Sequence, residues 1–590
     1  MLLASGISEA RDVEVPAELS TVISTAARVP QNLTKATAPV LVISRAEIER
    51  SQAGDLAELL RFYAGIELGR NGGPGQNAGL FLRGTESNHT LVLVDGVEIN
   101  PGTLGGAAIQ NIRPEVIERI EIVKGPRSAL WGSEAIGGVL NIITRNAEDG
   151  LAWSASAGHG KYDTRSASVE SRLRGSRGGI VFGLANVDTD GFPTRSDSET
   201  DRAHRNTTLS FKADTAFGGT TLAARYWEAR GETEYLDFFL APVQQDFVNS
   251  VAAAEVGLSF RDNWLSELIL SQTRDEIVQL DSDDYVSTDR IVANWQNTVS
   301  PGSGHTLLAG VSVGEERTQS LSFGSFFADK TRTRDVYLSD FVEFAEHRLL
   351  VSARHSHHDG FGSAFTWNVE PTLQIDDRLS LSLGIGTAYR APDGTDRFGF
   401  GGNPDLRPER ARNTEIGLHF ELGRARLATS VFQNKIDDLI EFVFDPVTFE
   451  GGNINVGRAR ISGIEVSYEL VAQDWRWRAG AIVQNPENLT DGTTLARRSK
   501  RSLSTSFSRT LSWGELGLDV LASESRRDSP FSDIVNAGYV LANVTARVDL
   551  SRRMALRMRL ENLLNSRYET AAGFNSPGRG LMLSLSYTSP

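Results

Sequence analysis

The chain has 590 residues, more than the roughly 250–300 that one hydrophobic core supports, so it requires two units or one very large barrel. It contains no cysteine, which excludes thiolate metal sites, disulfides and thiol catalysis. Its formal net charge of −15, with no basic tract as a local exception, disfavours non-specific binding to nucleic acid or anionic headgroups.

In chain order, "MLLASGISEARDV" lacks the positive n-region and long apolar run of a signal peptide. Residues 1–35 read as a polar, unanchored tail with one β-prone patch, "TVISTA" at Thr21 to Ala26. Residues 36–149 read as a small mixed α+β domain. Within it Val40 to Ile43 is a short strand, and Ser44 with Glu47 has capping-box spacing for a helix. Leu56, Leu59, Leu60 and Tyr63 then recur at helical spacing, with Gly65 as a stop. Strand-like runs follow in "GLFLRG", "HTLVLVDGVEI", "VIERIEIVKG" and "GGVLNIITR", and Gly125, Gly132, Gly137 and Gly138 suit tight turns where this domain packs against a wall.

From residue 150 to 590 the pattern changes to short alternating segments, among them "GGIVFGLANV", "WLSELILSQTRD", "LSLSLGIGTAYR", "GIEVSYELV" and "LMLSLSYTS". No window approaches about 18 consecutive apolar residues, so no transmembrane helix is encoded, but a barrel strand needs only about 9–11 alternating residues. One set of alternate positions is apolar and the other is Ser, Thr, Gly, Glu or Arg, as a wet lumen requires. Aromatics such as Trp475, Trp477 and Tyr587 fall near segment ends, as interfacial girdles do. At about 20 residues per strand and turn this stretch holds roughly 22 strands, a size whose lumen is plugged. The expected fold is therefore an all-β membrane protein, a roughly 22-stranded antiparallel transmembrane barrel with the N-terminal mixed α+β domain as its plug. A closed barrel is needed because unpaired backbone in hydrocarbon is prohibitively costly.

The stretches "NGGPGQNAGLFLRGTESNHTLVLVDGVEIN" and "IERIEIVKGPRSALWGSEAIGGVLNIIT" closely resemble the plug of TonB-dependent outer-membrane receptors. "GGNPDLRPERARNTEIGL", "NKIDDLIEF", "GRARISGIEVSYEL", "LARRSK" and "ENLLNSRYETAAGFNSPGR" resemble the cobalamin-transporting branch of that family. The resemblance implies energised import of cobalamin or a related corrinoid across the outer membrane of a Gram-negative bacterium. The implied partners are a TonB-type inner-membrane protein and outer-membrane lipid, and the implied state is a monomer. The alternative cargo is a ferric siderophore or another large chelate, and a passive pore is the rival class.

The same resemblance implies site residues. Thr21, Val22, Ile23, Ser24, Thr25 and Ala26 align with the energy-coupling box, whose mode is strand addition to the energising protein. Arg83 and Arg127 match plug arginines that pair with acids on the inner wall, for which Glu415, Glu465 and Glu561 are the candidates. Substrate contacts are expected at Asn71, Pro74, Gln76, Thr85, Asn88 and His89 of the plug and at Phe398 and Phe400 of an outer loop. Asp188, Asp190, Tyr235, Asp237 and Asp246 match a set of calcium ligands in outer loops, although Leu236 intervenes between Tyr235 and Asp237. "DSDD" at Asp281 to Asp284 and "HSHHDG" at His355 to Gly360 read as solvated surface, and no catalytic motif appears, so no enzyme is expected.

Overall fold

The computed structural model describes residues 22–237, 240–322, 324–444, 451–530 and 532–589. Alternating sequence makes the wall. In Gly178–Phe192, Ile180, Phe182 and Leu184 are exposed while Val181, Ala185 and Val187 on the alternate positions are buried. The outer set thus meets lipid and the inner set meets whatever fills the bore. Among the described residues, 22 such strands pair antiparallel, from Gly150–Gly160 to Gly580–Thr588. The first and last strands pair from Ser154 with Thr588 to Gly160 with Met582, which closes the barrel and removes its edges. The Trp153 and Tyr587 rings meet across that seam with centroids 4.7 Å apart.

One end of the barrel has two-residue turns, such as 218–219, 345–346, 423–424 and 473–474. The other end has long connections, including 391–408, 524–538 and 562–579. Short turns mark the periplasmic side and long loops the extracellular side.

The lumen holds the first unit. Its sheet runs Val40–Ile43, Ile117–Lys124, Gly138–Thr144, Thr90–Val94, Val97–Glu98, with one parallel pair between Thr90–Val94 and Gly138–Thr144. Ser44 caps Arg45–Ser51 with the full capping box to Glu47. A second helix, Leu56–Leu60, ends before Tyr63, and Gly65 at φ +74° turns the chain into Ile66–Arg70 instead of stopping the helix itself. Gly138 sits at φ +149°, where a Cβ would lie 2.2 Å from the carbonyl oxygen of Val123, so only glycine allows these two strands to pair. That close approach is inside the plug sheet rather than against the wall.

The plug core continues into the wall. Ile109, Ile112 and Val116 share one apolar cluster with the wall residues Trp227, Ala229, Phe247 and Val251. Leu130 packs with Leu308, Tyr337, Phe341 and Leu350, and Ile136 with Phe432 and Ile461. Contact on several sides places this domain inside the cylinder.

The expectation of an unanchored tail through residue 35 is corrected for its described part. Val22–Ile23 pairs with Gln31–Asn32, and Ile23, Thr25 and Ala26 are fully buried. The cause is a seat beneath the plug sheet: Ile23 and Ala26 pack with Ala38 and Val123.

Candidate functional site

Charged groups join plug to wall. Arg83 follows strand Ala78–Leu82, and its guanidinium donates to Glu415 at 2.9 Å and to Glu465 at 2.7 Å. Phe432 covers the guanidinium at 4.6 Å, and all three charged side chains are buried. Lys124 also pairs with Glu465 and donates to the carbonyl oxygen of Ala64 at 2.8 Å. Arg127 pairs with Glu370, which in turn accepts from the Thr37 hydroxyl at 2.9 Å.

Glu561 pairs with neither Arg83 nor Arg127. It ends strand Met554–Glu561, 3.8 Å from Arg559, which donates to Glu58 of the plug at 3.1 Å. Lys124 and Glu370 belong to further ion pairs between plug and wall that the sequence reading does not single out. The signal for Glu370 was present: Thr366, Asn368, Glu370 and Thr372 form the polar alternate set of Gly362–Gln374 and all face inward.

At the periplasmic end of the plug, Asp95 receives Lys212 of the wall at 3.0 Å and Thr144 N–H at 3.0 Å. Burial opposes ionisation of Asp95, but Lys212 and these donors hold its carboxyl below the ordinary range. Glu134 is the opposite case: burial, reinforced by the Glu98 carboxylate, pushes its carboxyl well above that range.

The coupling-segment residues Val22, Ile23, Ser24, Thr25 and Ala26 lie at the same end; Thr21 lies outside the described residues. Glu121 Oε2 accepts from Ser24 N–H at 3.1 Å, Thr25 N–H at 3.0 Å and the Thr25 hydroxyl at 2.6 Å. Trp131 donates to the Thr25 carbonyl at 3.0 Å. Arg28 then stacks between Trp131 and Tyr337 of the wall, at 4.7 and 4.6 Å.

The candidate substrate residues divide into two groups. Phe400 is 68% exposed, and Asn71, Pro74, Asn88 and Phe398 are half-buried on the extracellular side. Gln76, Thr85 and His89 are buried and engaged inside the protein. Gln76 donates to the Glu234 carbonyl at 2.7 Å and Thr85 to the Leu82 carbonyl at 2.8 Å. His89 Nε2 lies 2.8 Å from Glu409, which also takes Arg390 at 2.5 Å. These three face inward because each satisfies a buried partner, so they offer no ligand surface.

The five candidate calcium ligands stand on strands Gly178–Phe192, Thr220–Leu236 and Pro242–Arg261 and, for Asp237, in the connection between the last two. Asp188 and Asp190 are not in a loop: strand Gly178–Phe192 continues through them and turns both to the outer face, with Asp188 3.4 Å from Arg205. Tyr235 accepts from Gln279 at 2.9 Å, and Asp237 closes a turn on Ala241 N–H at 2.8 Å. Asp246 is exposed on strand Pro242–Arg261, opposite Glu232. Among the described residues no group of three His, Asp or Glu side chains stands close enough together to hold a metal ion.

The family model described as "TonB dependent receptor-like, beta-barrel" matches residues 152–563, well over half of the chain, and "TonB-dependent Receptor Plug Domain" matches residues 32–139. The chain is 28% identical to the "Vitamin B12 transporter BtuB" of Vibrio vulnificus (strain YJ016), over 93% of this chain and 92% of that one. It is 29% identical to the protein of the same name from Photobacterium profundum, over 96% and 95%. Among solved structures, the siderophore receptor PirA from Acinetobacter baumannii superposes with a TM-score of 0.80 at 18% identity, covering 93% of this chain and 98% of that one. The FrpB iron transporter from Neisseria meningitidis gives 0.81 at 15% identity, covering 93% and 99%, and at such identities both attest the fold alone. The chain belongs to the TonB-dependent receptors, plugged barrels of the Gram-negative outer membrane that import a large extracellular ligand with energy coupled through TonB.

Proposed function

We propose that the imported ligand is cobalamin or a related corrinoid and that the receptor works as a monomer. The observation that carries this reading is the end-to-end likeness, at 28% and 29% identity, to two proteins named as vitamin B12 transporters. Ligand seats on the extracellular face among Asn71, Pro74, Asn88, Phe398 and Phe400. Ligand outside and the energising protein inside then act on one plug, and by linkage the ligand alters the state of the tail.

The coupling segment must leave Glu121 and the plug sheet before its edge is free for strand addition. The plug is held by charged hydrogen bonds at Arg83, Lys124 and Arg127, which rearrange without dismantling an apolar core.

Calorimetric titration of the purified receptor with cobalamin and with a ferric siderophore, each with and without calcium, tests the cargo. Saturable cobalamin binding is expected, and calcium enters only if the outer loops rearrange to gather its ligands. Binding of the iron chelate with no response to cobalamin overturns the corrinoid reading.

A further inference from the structure

The outer wall formed by Glu409–Leu422, Ala425–Phe444 and Gly451–Ala472 carries charges that lie outside the site described above. Their register sets Arg412 opposite Lys435 and Lys435 opposite Arg460. Each alternates with buried, lumen-facing neighbours, among them Ala411, Asn434, Ile436, Ala459 and Ile461, so all three point outward. Arg410 and Arg458 flank the row on the same face, with Asp437 between them.

Like charges directly opposite one another destabilise a strand pair. Little here offsets that repulsion. Arg460 meets Glu487 at 2.7 Å and Arg458 meets Asp437 at 3.9 Å. Arg410, Arg412 and Lys435 have no ion pair among the described residues. A second cation cluster, on the paired strands His305–Ser322 and Ser325–Phe344, is neutralised internally instead: Glu315 takes Arg317, Lys330 and Arg332 at 3.0, 2.8 and 3.1 Å.

Position supplies the second argument. Below the cation row come Thr414, Gln433 and Ser462, then the exposed apolar side chains Ile416, Val431 and Ile464. Arg412 stands ten residues from Leu422 at the periplasmic turn. At about 3.3 Å per residue and roughly 40° tilt this is a height of about 25 Å, the thickness of the apolar band. The row therefore lies at the boundary between hydrocarbon and headgroups of the outer leaflet.

We propose that Arg410, Arg412, Lys435 and Arg460 bind the phosphate groups of a glycolipid of the outer leaflet. Planar guanidinium forks match phosphate oxygens in pairs, the lysine adds a point charge, and the acyl chains lie along Ile416, Val431 and Ile464. The bound anion removes the cross-strand repulsion that the free wall carries.

The test uses the full-length receptor in detergent, titrated with lipid A carrying both phosphates, with the same lipid stripped of phosphate, and with inorganic phosphate, and read by native mass spectrometry and thermal unfolding. Binding of the phosphorylated lipid is expected to weaken about tenfold or more in the triple variant Arg412→Gln, Lys435→Gln, Arg460→Gln, and to be unchanged in Arg332→Gln of the neutralised cluster. In lipid-free detergent Lys435→Gln alone should raise the melting temperature, since it removes two opposed cation pairs, and the phosphorylated lipid should stabilise it less than the native receptor. Equal binding by the triple variant, equal binding of dephosphorylated lipid, or equal stabilisation by inorganic phosphate overturns the proposal.

Discussion

Arg83 occupies the left-handed region at φ +50°, a conformation that side-chain-bearing residues adopt at a cost. What holds it there is the pairing with Glu415 and Glu465 and the Phe432 ring over its guanidinium. Removing one member of a buried pair leaves uncompensated charge, typically worth about 3–5 kcal/mol. Arg83→Ala should therefore loosen the plug by that order, read as a lower melting temperature and as entry of a large antibiotic normally excluded. Unchanged melting together with unchanged exclusion would refute the locking role. Arg83→Lys should recover only part of the loss, since an ammonium cannot present two planar forks to two carboxylates. The locking residues on the plug stand in recognisable motifs, but their wall partners are separated from them by some three hundred residues. Inward orientation is readable from alternation, whereas height and azimuth around the bore are not, so pattern singles out neither Glu370 as the partner of Arg127 nor the distance of Glu561 from both arginines.

At the scale of elements, the coupling segment is a strand twice over. In this structure Val22–Ile23 pairs with Gln31–Asn32, and in the proposed function the same residues pair with the energising partner. One edge cannot serve both at once. Val22 faces Asn32 in the antiparallel register, so cysteines at these two positions would lie within disulfide reach, and the chain has no other cysteine to interfere. The double variant Val22→Cys, Asn32→Cys should bind ligand normally, fail in energised uptake when oxidised, and regain uptake on reduction. Uptake unaffected by the oxidised disulfide would show that the hairpin need not open. Deleting residues 21–26 should likewise abolish uptake and spare binding. Composition marked this segment as β-prone but polar, and the seat under Val123 and Glu121 is formed by residues almost a hundred positions downstream.

For the whole molecule, closure and plugging are separable. The wall satisfies its own backbone through 22 paired strands, whereas the plug contributes side chains to the bore. Excising residues 36–149 should leave a folded barrel whose conductance in a planar bilayer far exceeds that of the intact receptor. A conductance equal to that of the full chain would mean that the plug does not obstruct the bore.

The wall and the two-part architecture are legible in the residues alone, because period-two alternation and total length are local and additive properties. Segments such as "GGIVFGLANV" and "LMLSLSYTS" needed no knowledge of their neighbours to be read as strands, and the Ser44–Glu47 cap lies within one turn. Tertiary structure alone decided which acid meets which arginine, that Gln76, Thr85 and His89 are buried while Phe400 is not, and that Asp188 and Asp190 face outward on a strand. It also assembled a cationic row from Arg412, Lys435 and Arg460 in a chain of net charge −15 with no basic tract. The reason is register: strand pairing joins single charges from distant segments into one surface, and no local pattern encodes how adjacent strands slide.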